Sequence, residues 1–210
     1  IESFRSGMDF HSATASKVFD VPAEEVTGEM RAKIKAMNYG LAYGLSAYGL
    51  GQQLRIEPSE ARGLMEEYFL TFGGVRDYLG GIVDEARRSG FTETILGRRR
   101  YLPDLTSDNR QRRDIAERMA LNAPIQGSAA DILKLAMIRI DRDLATRFPG
   151  ARLLLTVHDE LDFSDPGGKD HVFEEIYRVM ENAIKFRVPV KVGVEVGPSW
   201  GAVEEVSRAA

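Results

Sequence analysis

Apolar residues recur at helical spacing through the first half of the chain. Between residues 9 and 72 they return every three or four positions, which predicts a series of helices. The series is divided at residues that break or end helices, namely Pro22, Gly28, Gly44 and Pro58. A further helix is predicted from about Val75 to Ser89, and Gly90 is expected to end it in the left-handed conformation.

The remaining pattern predicts strands as well as helices. Phe91–Leu102 alternates about a basic tip and predicts a β-hairpin. The final third predicts two strands, a helix and another strand, at Leu153–Val157, Leu161–Phe163, Asp170 to about Lys185, and Val190–Val196. The chain is therefore assigned to the α+β class. A mostly helical subdomain, residues 1–113 with the hairpin near 91–102, is expected to precede residues 114–210, where helices pack on an antiparallel sheet.

One long helical stretch joins these parts, from Ser107 to about Arg147. Pro124 and Gly127 are expected to interrupt or kink it, because proline lacks the N–H that a helix interior needs. The helix is then expected to restart at Ser128, which with Asp131 resembles a capping box.

Composition excludes several classes of protein. The 210 residues are 43% hydrophobic and 29% charged, which is ordinary for a folded domain and excludes wholesale disorder. The absence of cysteine excludes a disulfide framework, a thiolate metal site and a cysteine nucleophile. A cytoplasmic location is expected from the absence of cysteine, and no membrane partner is expected because no apolar run is long enough to span a bilayer. Because the chain begins at Ile1, it is interpreted as a fragment of a longer polypeptide.

Charge is unevenly distributed along the chain. The net charge is −4, but residues 87–118 carry nine arginines against five acidic residues. Any affinity for nucleic acid must therefore come from this local basic patch. The alternative is a solvated charged surface with no ligand.

A polar and aromatic stripe is predicted on one helix in the first half. Its members are spaced four residues apart: Arg31, Lys35, Tyr39 and Tyr43. Thr27 is a plausible N-cap, and a helix start with two cations would suit a triphosphate, with the tyrosines bordering its base or sugar. Gly40 and Gly44 leave room for close backbone approach. The alternative is an exposed amphipathic face with two core tyrosines.

This stripe resembles a known motif. Arg31 to Gly44 fits the pattern Arg-x3-Lys-x3-Phe/Tyr-Gly-x2-Tyr-Gly, the nucleotide-binding "O helix" of family A DNA polymerases, the bacterial DNA polymerase I group. Residues 118–131 resemble the family's duplex-reading helix, and Val157–Leu161 resembles its second carboxylate motif. Shorter matches lie at Asp9–Ser12, Gly97–Pro103 and Trp200, so the resemblance covers nearly the whole chain.

The resemblance implies a fold and a function. The chain would comprise the fingers subdomain, residues 1–113, and the C-terminal part of the palm, residues 114–210. The implied reaction is template-directed, Mg²⁺-dependent addition of a deoxynucleotide to a primer 3′ end. The implied partners are primer-template DNA, deoxynucleoside triphosphates and the remainder of the polymerase chain.

The resemblance also implies roles for individual residues. Those expected to hold the nucleotide are His11, Arg31, Lys35 and Tyr39. Those expected to contact DNA are Tyr43, Arg98, Arg99, Arg118, Asn122, Gln126 and His158. Those expected to act in catalysis are Asp159, Glu160 and Lys35, with Asp159 the metal ligand.

The chemistry of two of these motifs can be argued from the residues. Phosphoryl transfer uses two divalent ions about 3.5 to 4 Å apart, held by carboxylates. Asp159 lies between two apolar runs and is expected at a tight strand junction facing a cleft, with Glu160 as a weaker or outer ligand. The side-chain amides of Asn122 and Gln126 could bond to minor-groove acceptors that all base pairs share. The alternatives are an ordinary turn aspartate and amides that cap a broken helix.

Two departures from the family pattern affect these expectations. The first carboxylate motif, Asp-Tyr-Ser-x-Ile-Glu, is absent, and Asp77-Tyr78 does not replace it because Leu-Gly-Gly follows. A second aspartate ligand is therefore expected upstream, and the isolated chain is expected to be inactive. Thr156 stands where the family usually has Gln. The alternative functions are a non-catalytic DNA-binding module of the same fold and a single-subunit RNA polymerase, which the intact Tyr-Gly-x2-Tyr-Gly segment disfavours.

Overall fold

A computed structural model describes residues 1–167 and 172–206. The chain forms two compact units, Ile1–Ala129 and Ala130–Ala210. Helices with one small hairpin make up the first unit, and the second combines helix with antiparallel strands, so the predicted α+β class is confirmed. The proposed fingers and palm boundaries, 1–113 and 114–210, stay a prediction.

The first unit begins with the predicted series of helices. They are α1 (Glu2–Arg5), α2 (Phe10–Val18), α3 (Gly28–Ala42), α4 (Ala47–Leu54), α5 (Pro58–Thr71) and α6 (Gly73–Ser89), with a short 3₁₀ helix at Ala23–Glu25. Helix α6 ends as predicted, because Gly90 takes the left-handed conformation with φ of 80°.

Helix α3 lies at the centre of the first unit's core. Its apolar residues Ile34, Met37 and Leu41 are three and four positions apart and are buried together. Ala15 of α2 and Leu50 of α4 belong to the same cluster. One face of α3 is therefore fixed by packing, which leaves the opposite face available to solvent.

The predicted hairpin is confirmed. Strands β1 (Phe91–Glu93) and β2 (Arg99–Tyr101) are antiparallel, with Phe91 opposite Tyr101 and Glu93 opposite Arg99. A second 3₁₀ helix, Pro103–Thr106, follows β2.

The predicted interruption of the long helix and its restart at Ser128 are wrong. Helix α7 runs without interruption over 38 residues, Arg110–Arg147, with Pro124 inside it. A single proline removes one backbone donor at a cost of about 3 kcal/mol, and the rest of the ladder continues. Ser128 does not cap a new helix, because its hydroxyl donates to the Pro124 carbonyl and accepts from the Ile95 N–H at 2.9 Å. Gly127 serves close packing, since a Cβ there would lie 2.7 Å from Thr94 Cγ2.

The second unit contains β3 (Arg152–Val157), β4 (Glu160–Ser164), α8 (Phe173–Glu181), β5 (Glu195–Ser199) and β6 (Ala202–Glu205). Strands β3 and β4 pair antiparallel, as do β5 and β6. Its core joins Ile140 and Leu144 of α7 to Ile176 and Val179 of α8, with Phe163 of β4 packed against them.

Two predicted elements of this unit have different bounds. The helix predicted at Asp170 to Lys185 ends at Glu181, and residues 170 and 171 lie outside the described residues. The carbonyls of Asn182 and Ala183 accept hydrogen bonds from Arg139, at 3.2 and 2.9 Å.

The strand predicted over Val190–Val196 begins only at Glu195, where pairing with the short strand β6 starts. Strand β6 itself was not predicted from the sequence. Within residues 1–167 and 172–206, no helix combines the length and the apolar character needed to cross a membrane.

Glu175 is a buried charge in the second unit, with 6% of its surface exposed. Arg178 donates to both of its carboxylate oxygens, and Arg147 lies 2.7 Å from Oε2. The hydrogen bond from Arg178 is the main reason that the pKa of Glu175 falls from 4.5 to about 2. Asp143 also contacts Arg178, at 3.3 Å.

We expect Glu175 to make the second unit sensitive to acid. A lowered pKa means that its contribution is complete above pH 4.5 and is lost as the pH falls toward about 2. Glu175→Gln should lower the free energy of unfolding near neutral pH by about 1 to 3 kcal/mol and flatten its dependence in that window. Urea denaturation across this pH range measures both effects. The exposed Glu195→Gln is the control, and equal profiles for the two variants would contradict the assignment.

Candidate functional site

Helix α3 presents the predicted stripe on the face opposite the core. The Thr27 hydroxyl caps the helix by accepting from the Met30 N–H at 3.2 Å. Lys35 is exposed, Tyr39 is 51% exposed, and Tyr43, directly after the last helical residue, is 49% exposed. The alternative in which both tyrosines are core residues is therefore wrong.

Arg31 is held by an ion pair to Asp9. Its Nε and Nη2 donate to Oδ1 and Oδ2 of Asp9, at 3.0 and 2.9 Å. Asp9 also caps α2 by accepting from the Ser12 N–H at 2.7 Å. These bonds, above all the one from Arg31, hold the pKa of Asp9 well below its usual range. The Arg31 guanidinium is thus oriented by a carboxylate, a planar anion that it can bind through two parallel hydrogen bonds.

His11 joins the stripe from helix α2. Its ring centroid lies 5.8 Å from that of Tyr39. Burial is the main cause that lowers the pKa of His11, and the positive charges of Arg31 and Lys35 lower it further, while Asp9 opposes them. The structure therefore brings together all four residues predicted to hold the nucleotide.

Two residues that the sequence did not single out support this cluster. Asn38 Nδ2 lies 3.0 Å from His11 Nδ1, and the Tyr68 hydroxyl donates to Asn38 Oδ1 at 2.8 Å. Tyr68 is 5% exposed, and burial raises its pKa. The available signal was an asparagine inside a helix, where that residue type is unfavourable unless its amide has partners.

The glycines near the stripe are used for packing within the protein. A Cβ on Gly40 would lie 2.9 Å from Leu45 Cδ2. Gly44 has φ of 67°, and a Cβ there would lie 3.2 Å from the Arg118 Cα. The close approach expected at these glycines is therefore made by the protein's own residues, and it places the end of α3 against α7.

The residues predicted to contact DNA in the first unit lie on the hairpin and α7. Arg98, Asn122 and Gln126 line one cavity of about 180 Å³ between these elements. Arg98 donates to the Gly127 carbonyl at 3.0 Å, which ties the hairpin to the helix. The lining of the cavity is about equally polar and apolar, and the amides and guanidinium in it can donate hydrogen bonds.

Of two further arginines that were predicted to contact DNA, one is paired within the protein and the other is exposed. Arg99 pairs with Glu93 at 2.6 Å and lies over the Phe91 ring at 4.4 Å, so its orientation is fixed by the protein. Arg118 is exposed on α7, one turn before Asn122.

The predicted carboxylate motif forms the turn between β3 and β4. His158, Asp159 and Glu160 are exposed there, and His158 has φ of 55°. The Thr156 hydroxyl donates to the Glu160 carbonyl at 3.1 Å, which closes the turn. The tight junction predicted for Asp159 is confirmed. Within the described part of the chain, the Asp159 carboxylate makes no hydrogen bond or ion pair.

The turn contains a carboxylate that suits a metal ion. Free carboxylate oxygens are the ligands that Mg²⁺ prefers, so Asp159 fits as one ligand. However, among residues 1–167 and 172–206, no group of three or more His, Asp and Glu side chains could hold a metal ion. Among the described residues, Asp159 thus offers one carboxylate ligand, and no complete metal site is present.

Comparisons with known proteins agree on one family. A sequence model of DNA polymerase family A matches residues 1–202. DNA polymerase I of Mycobacterium tuberculosis is 56% identical over 203 residues, which cover 96% of this chain and 22% of that protein. DNA polymerase I of Geobacillus stearothermophilus is 49% identical over 201 residues, 95% of this chain and 23% of that protein. The chain therefore spans about a fifth of the length of these curated relatives.

A solved structure is also similar. It is the POL domain of Pol1 from M. smegmatis in complex with DNA primer-template and dNTP. The TM-score is 0.84 and the identity 56%, over 90% of this chain and 34% of that one. At this identity the likeness extends to sequence as well as fold.

The two roles of Asp9 can be separated by mutation. Asp9→Ala removes both the helix cap and the ion pair, and should lower the free energy of unfolding by about 0.5 to 2 kcal/mol. Asp9→Asn keeps an oxygen that can cap α2 and should cost less, because exposed ion pairs contribute about 0 to 1 kcal/mol. Chemical denaturation at neutral pH measures both. Equal losses for the two variants would show that the ion pair, and not the cap, carries the stability.

Proposed function

This chain belongs to DNA polymerase family A, and we propose that it works as part of a DNA polymerase I. In that protein it would bind a deoxynucleoside triphosphate and primer-template DNA, and would supply one catalytic carboxylate. The reaction is Mg²⁺-dependent addition of a deoxynucleotide to a primer 3′ end, directed by the template. The observation that carries the proposal is the cluster of His11, Arg31, Lys35 and Tyr39 on and beside α3.

The cluster has the chemistry that a nucleoside triphosphate needs. Arg31 and Lys35 supply two positive charges in the first half of α3, where the helix dipole also favours an anion. Lys35 forms no ion pair with the described residues, so its ammonium is available to the ligand. It would stabilise the charge that develops on the phosphates in the transition state. Tyr39 would border the sugar and base, and Tyr43 the template base.

The cavity between the hairpin and α7 carries hydrogen-bonding groups that would contact the edge of a duplex. Asn122 and Gln126 would hydrogen-bond to minor-groove acceptors that are shared by all correct base pairs. Such contacts are independent of sequence, as copying requires. The phosphate backbone would be held by Arg98, Arg99 and Arg118, with His158 as a further DNA contact.

The acidic turn supports the catalytic part of the proposal. Asp159 would hold Mg²⁺, with Glu160 as an outer ligand, and another aspartate elsewhere in the polymerase would complete a site for two ions. When bound, the ions activate the attacking hydroxyl and stabilise the leaving group. The similar M. smegmatis structure is a complex with DNA primer-template and dNTP, and this supports the proposal that the chain binds primer-template DNA and a deoxynucleoside triphosphate.

The isolated 210-residue chain should not extend a primer, because one carboxylate motif cannot hold two metal ions in the required geometry. A primer-extension assay with Mg²⁺ tests this, with the complete polymerase as the positive control. Extension by the isolated chain above the level without protein would show that the missing motif is not needed.

In the complete polymerase, Asp159→Ala should abolish extension while leaving affinity for primer-template nearly unchanged. The carboxylate would bind the metal ions, and its removal deletes no positively charged side chain that binds DNA. Extension rates and DNA dissociation constants are measured together, with the exposed Asp77→Ala as the matched control. A loss of DNA binding as large as the loss of rate would indicate a structural role. A rate unchanged by the substitution would favour the non-catalytic DNA-binding alternative.

Tyr39 should determine how the polymerase treats dideoxynucleotides. A nucleotide's 3′-hydroxyl can contact its own phosphates, and the Tyr39 phenol can replace that contact when the hydroxyl is missing. Losing a hydrogen bond to a charged group costs about 1.5 to 3 kcal/mol, or roughly one to two decades in relative use. The enzyme should therefore accept dideoxynucleotides, and Tyr39→Phe should reject them.

Competition between dideoxy- and deoxynucleotides measures this discrimination. Tyr48→Phe is the matched control, because Tyr48 is also exposed but lies on α4. Equal discrimination in Tyr39→Phe and the parent enzyme would show that the phenol does not lie near the sugar.

A further inference from the structure

We propose that Asn38 and Tyr68 are positioning residues that hold His11 in the Nε2–H tautomer, so that its ring donates a neutral hydrogen bond to the bound triphosphate. The inference deepens the proposed function and rests on it. It starts from the chain of hydrogen bonds that joins α5, α3 and α2 through Tyr68, Asn38 and His11.

The direction of each hydrogen bond follows from Tyr68. Its hydroxyl donates to Asn38 Oδ1 at 2.8 Å, so the other end of the amide, Nδ2, faces His11. An amide NH₂ group can only donate. His11 Nδ1, 3.0 Å away, must therefore accept, and the proton of the neutral ring lies on Nε2.

The opposite arrangement is disfavoured by burial. If the Asn38 amide were flipped, its NH₂ group would donate to the Tyr68 oxygen, and the Tyr68 O–H would need a different acceptor. Tyr68 is 5% exposed, and its hydroxyl makes no other hydrogen bond with the described residues. A buried donor without a partner costs about 1 to 3 kcal/mol. The buried tyrosine therefore fixes the amide, and the amide fixes the imidazole.

The charges around His11 favour the neutral ring. Burial lowers its pKa most, and Arg31 and Lys35 of α3 lower it further. Asp9, the N-cap of the helix that carries His11, raises it, but that carboxylate is already paired with Arg31. Asn38 and Tyr68 carry no charge at neutral pH. The ring is thus neutral at physiological pH, and its tautomer decides whether it presents a donor or a lone pair.

The tautomer matters because Nδ1 is occupied. Within the described residues Nε2 has no hydrogen-bond partner, and it belongs to the ring that lies beside Tyr39. With its proton on Nε2, the ring offers a donor to a phosphate oxygen. With its proton on Nδ1, it would direct a lone pair at the same anion. The contact to Asn38 excludes that second state.

The tautomer itself can be observed without activity. In the complete polymerase labelled with ¹⁵N-histidine, His11 Nδ1 should give a pyridine-type ¹⁵N shift and Nε2 a pyrrole-type shift near neutral pH. The signals are assigned by their loss in His11→Gln. Asn38→Asp, whose carboxylate can only accept, should move a proton onto Nδ1. A pyrrole-type Nδ1 in the parent enzyme, or no change in Asn38→Asp, would overturn the proposal.

Nucleotide affinity gives the second readout. The probe is the dNTP complementary to the template base, bound to polymerase on a dideoxy-terminated primer. At pH of about 6, Asn38→Asp should bind it nearly as well as the parent, because the introduced carboxylate beside Nδ1 favours a charged His11, which carries a proton on Nε2 as well. At pH of about 9 it should bind about tenfold more weakly or worse, because the neutral ring then keeps its proton on Nδ1.

Controls separate this effect from added negative charge and from misfolding. When it is combined with His11→Gln, Asn38→Asp should change dNTP affinity equally at the two pH values. A loss of dNTP affinity caused by charge repulsion alone would remain. Tyr68→Phe is a second variant that keeps the ring's bulk and frees the amide to flip, so it should give a mixed tautomer and a smaller loss.

The outcomes also separate this proposal from the proposed function. A parent enzyme that binds dNTP, combined with an Asn38→Asp loss that does not depend on pH, would overturn the positioning role alone. A parent enzyme that binds no dNTP would overturn the proposed function and with it the role of the His11 donor.

Discussion

The burial of one face of α3 is the constraint on which the proposed nucleotide site depends. Ile34 and Met37 are almost completely buried, so the helix cannot rotate without opening the core. Since residues four apart lie on one face, this fixes where Lys35 and Tyr39 emerge. Asp9 and His11 then add contacts to Arg31 and Tyr39 on this exposed face. A rigid helix thus positions a polar site, which is more exact than positioning it on a loop.

Only one of the two positive charges of this site is balanced by a described residue before any ligand binds. Arg31 is paired with Asp9, whereas Lys35 has no partner among the described residues. An incoming triphosphate would meet one oriented guanidinium and one free ammonium. A protonated His11 would add a third positive charge to the same surface. Because the pKa of His11 is lowered, the neutral ring would contribute a hydrogen bond without electrostatic repulsion against Arg31 and Lys35.

Local sequence patterns predicted much of the fold. Elements whose limits depend on contacts with distant residues were predicted less well. The helices up to Gly90 and the hairpin that follows depend on local spacing and turn residues, so they could be predicted. Helix α7 continues through Pro124, and its residue Gly127 packs against Thr94 of the hairpin, a contact that sequence spacing does not show. Likewise β5 starts where its partner β6 begins to pair, and not where its valines begin to alternate. Contacts between distant segments decide these boundaries.

The same distinction applies to the candidate site. The local spacing of Arg31, Lys35 and Tyr39 predicts a shared helix face, whereas their roles and that of Asp159 were expected from the resemblance to the family. Asn38 was not predicted as a site residue, because its hydrogen-bond partners are 27 and 30 residues away in the sequence, on two other helices. A polar side chain at the edge of a core is stable only when its hydrogen bonds are satisfied. An asparagine beside the core residue Met37 therefore implies a partner even where the sequence cannot name it, and here the partners lead to the ring of His11.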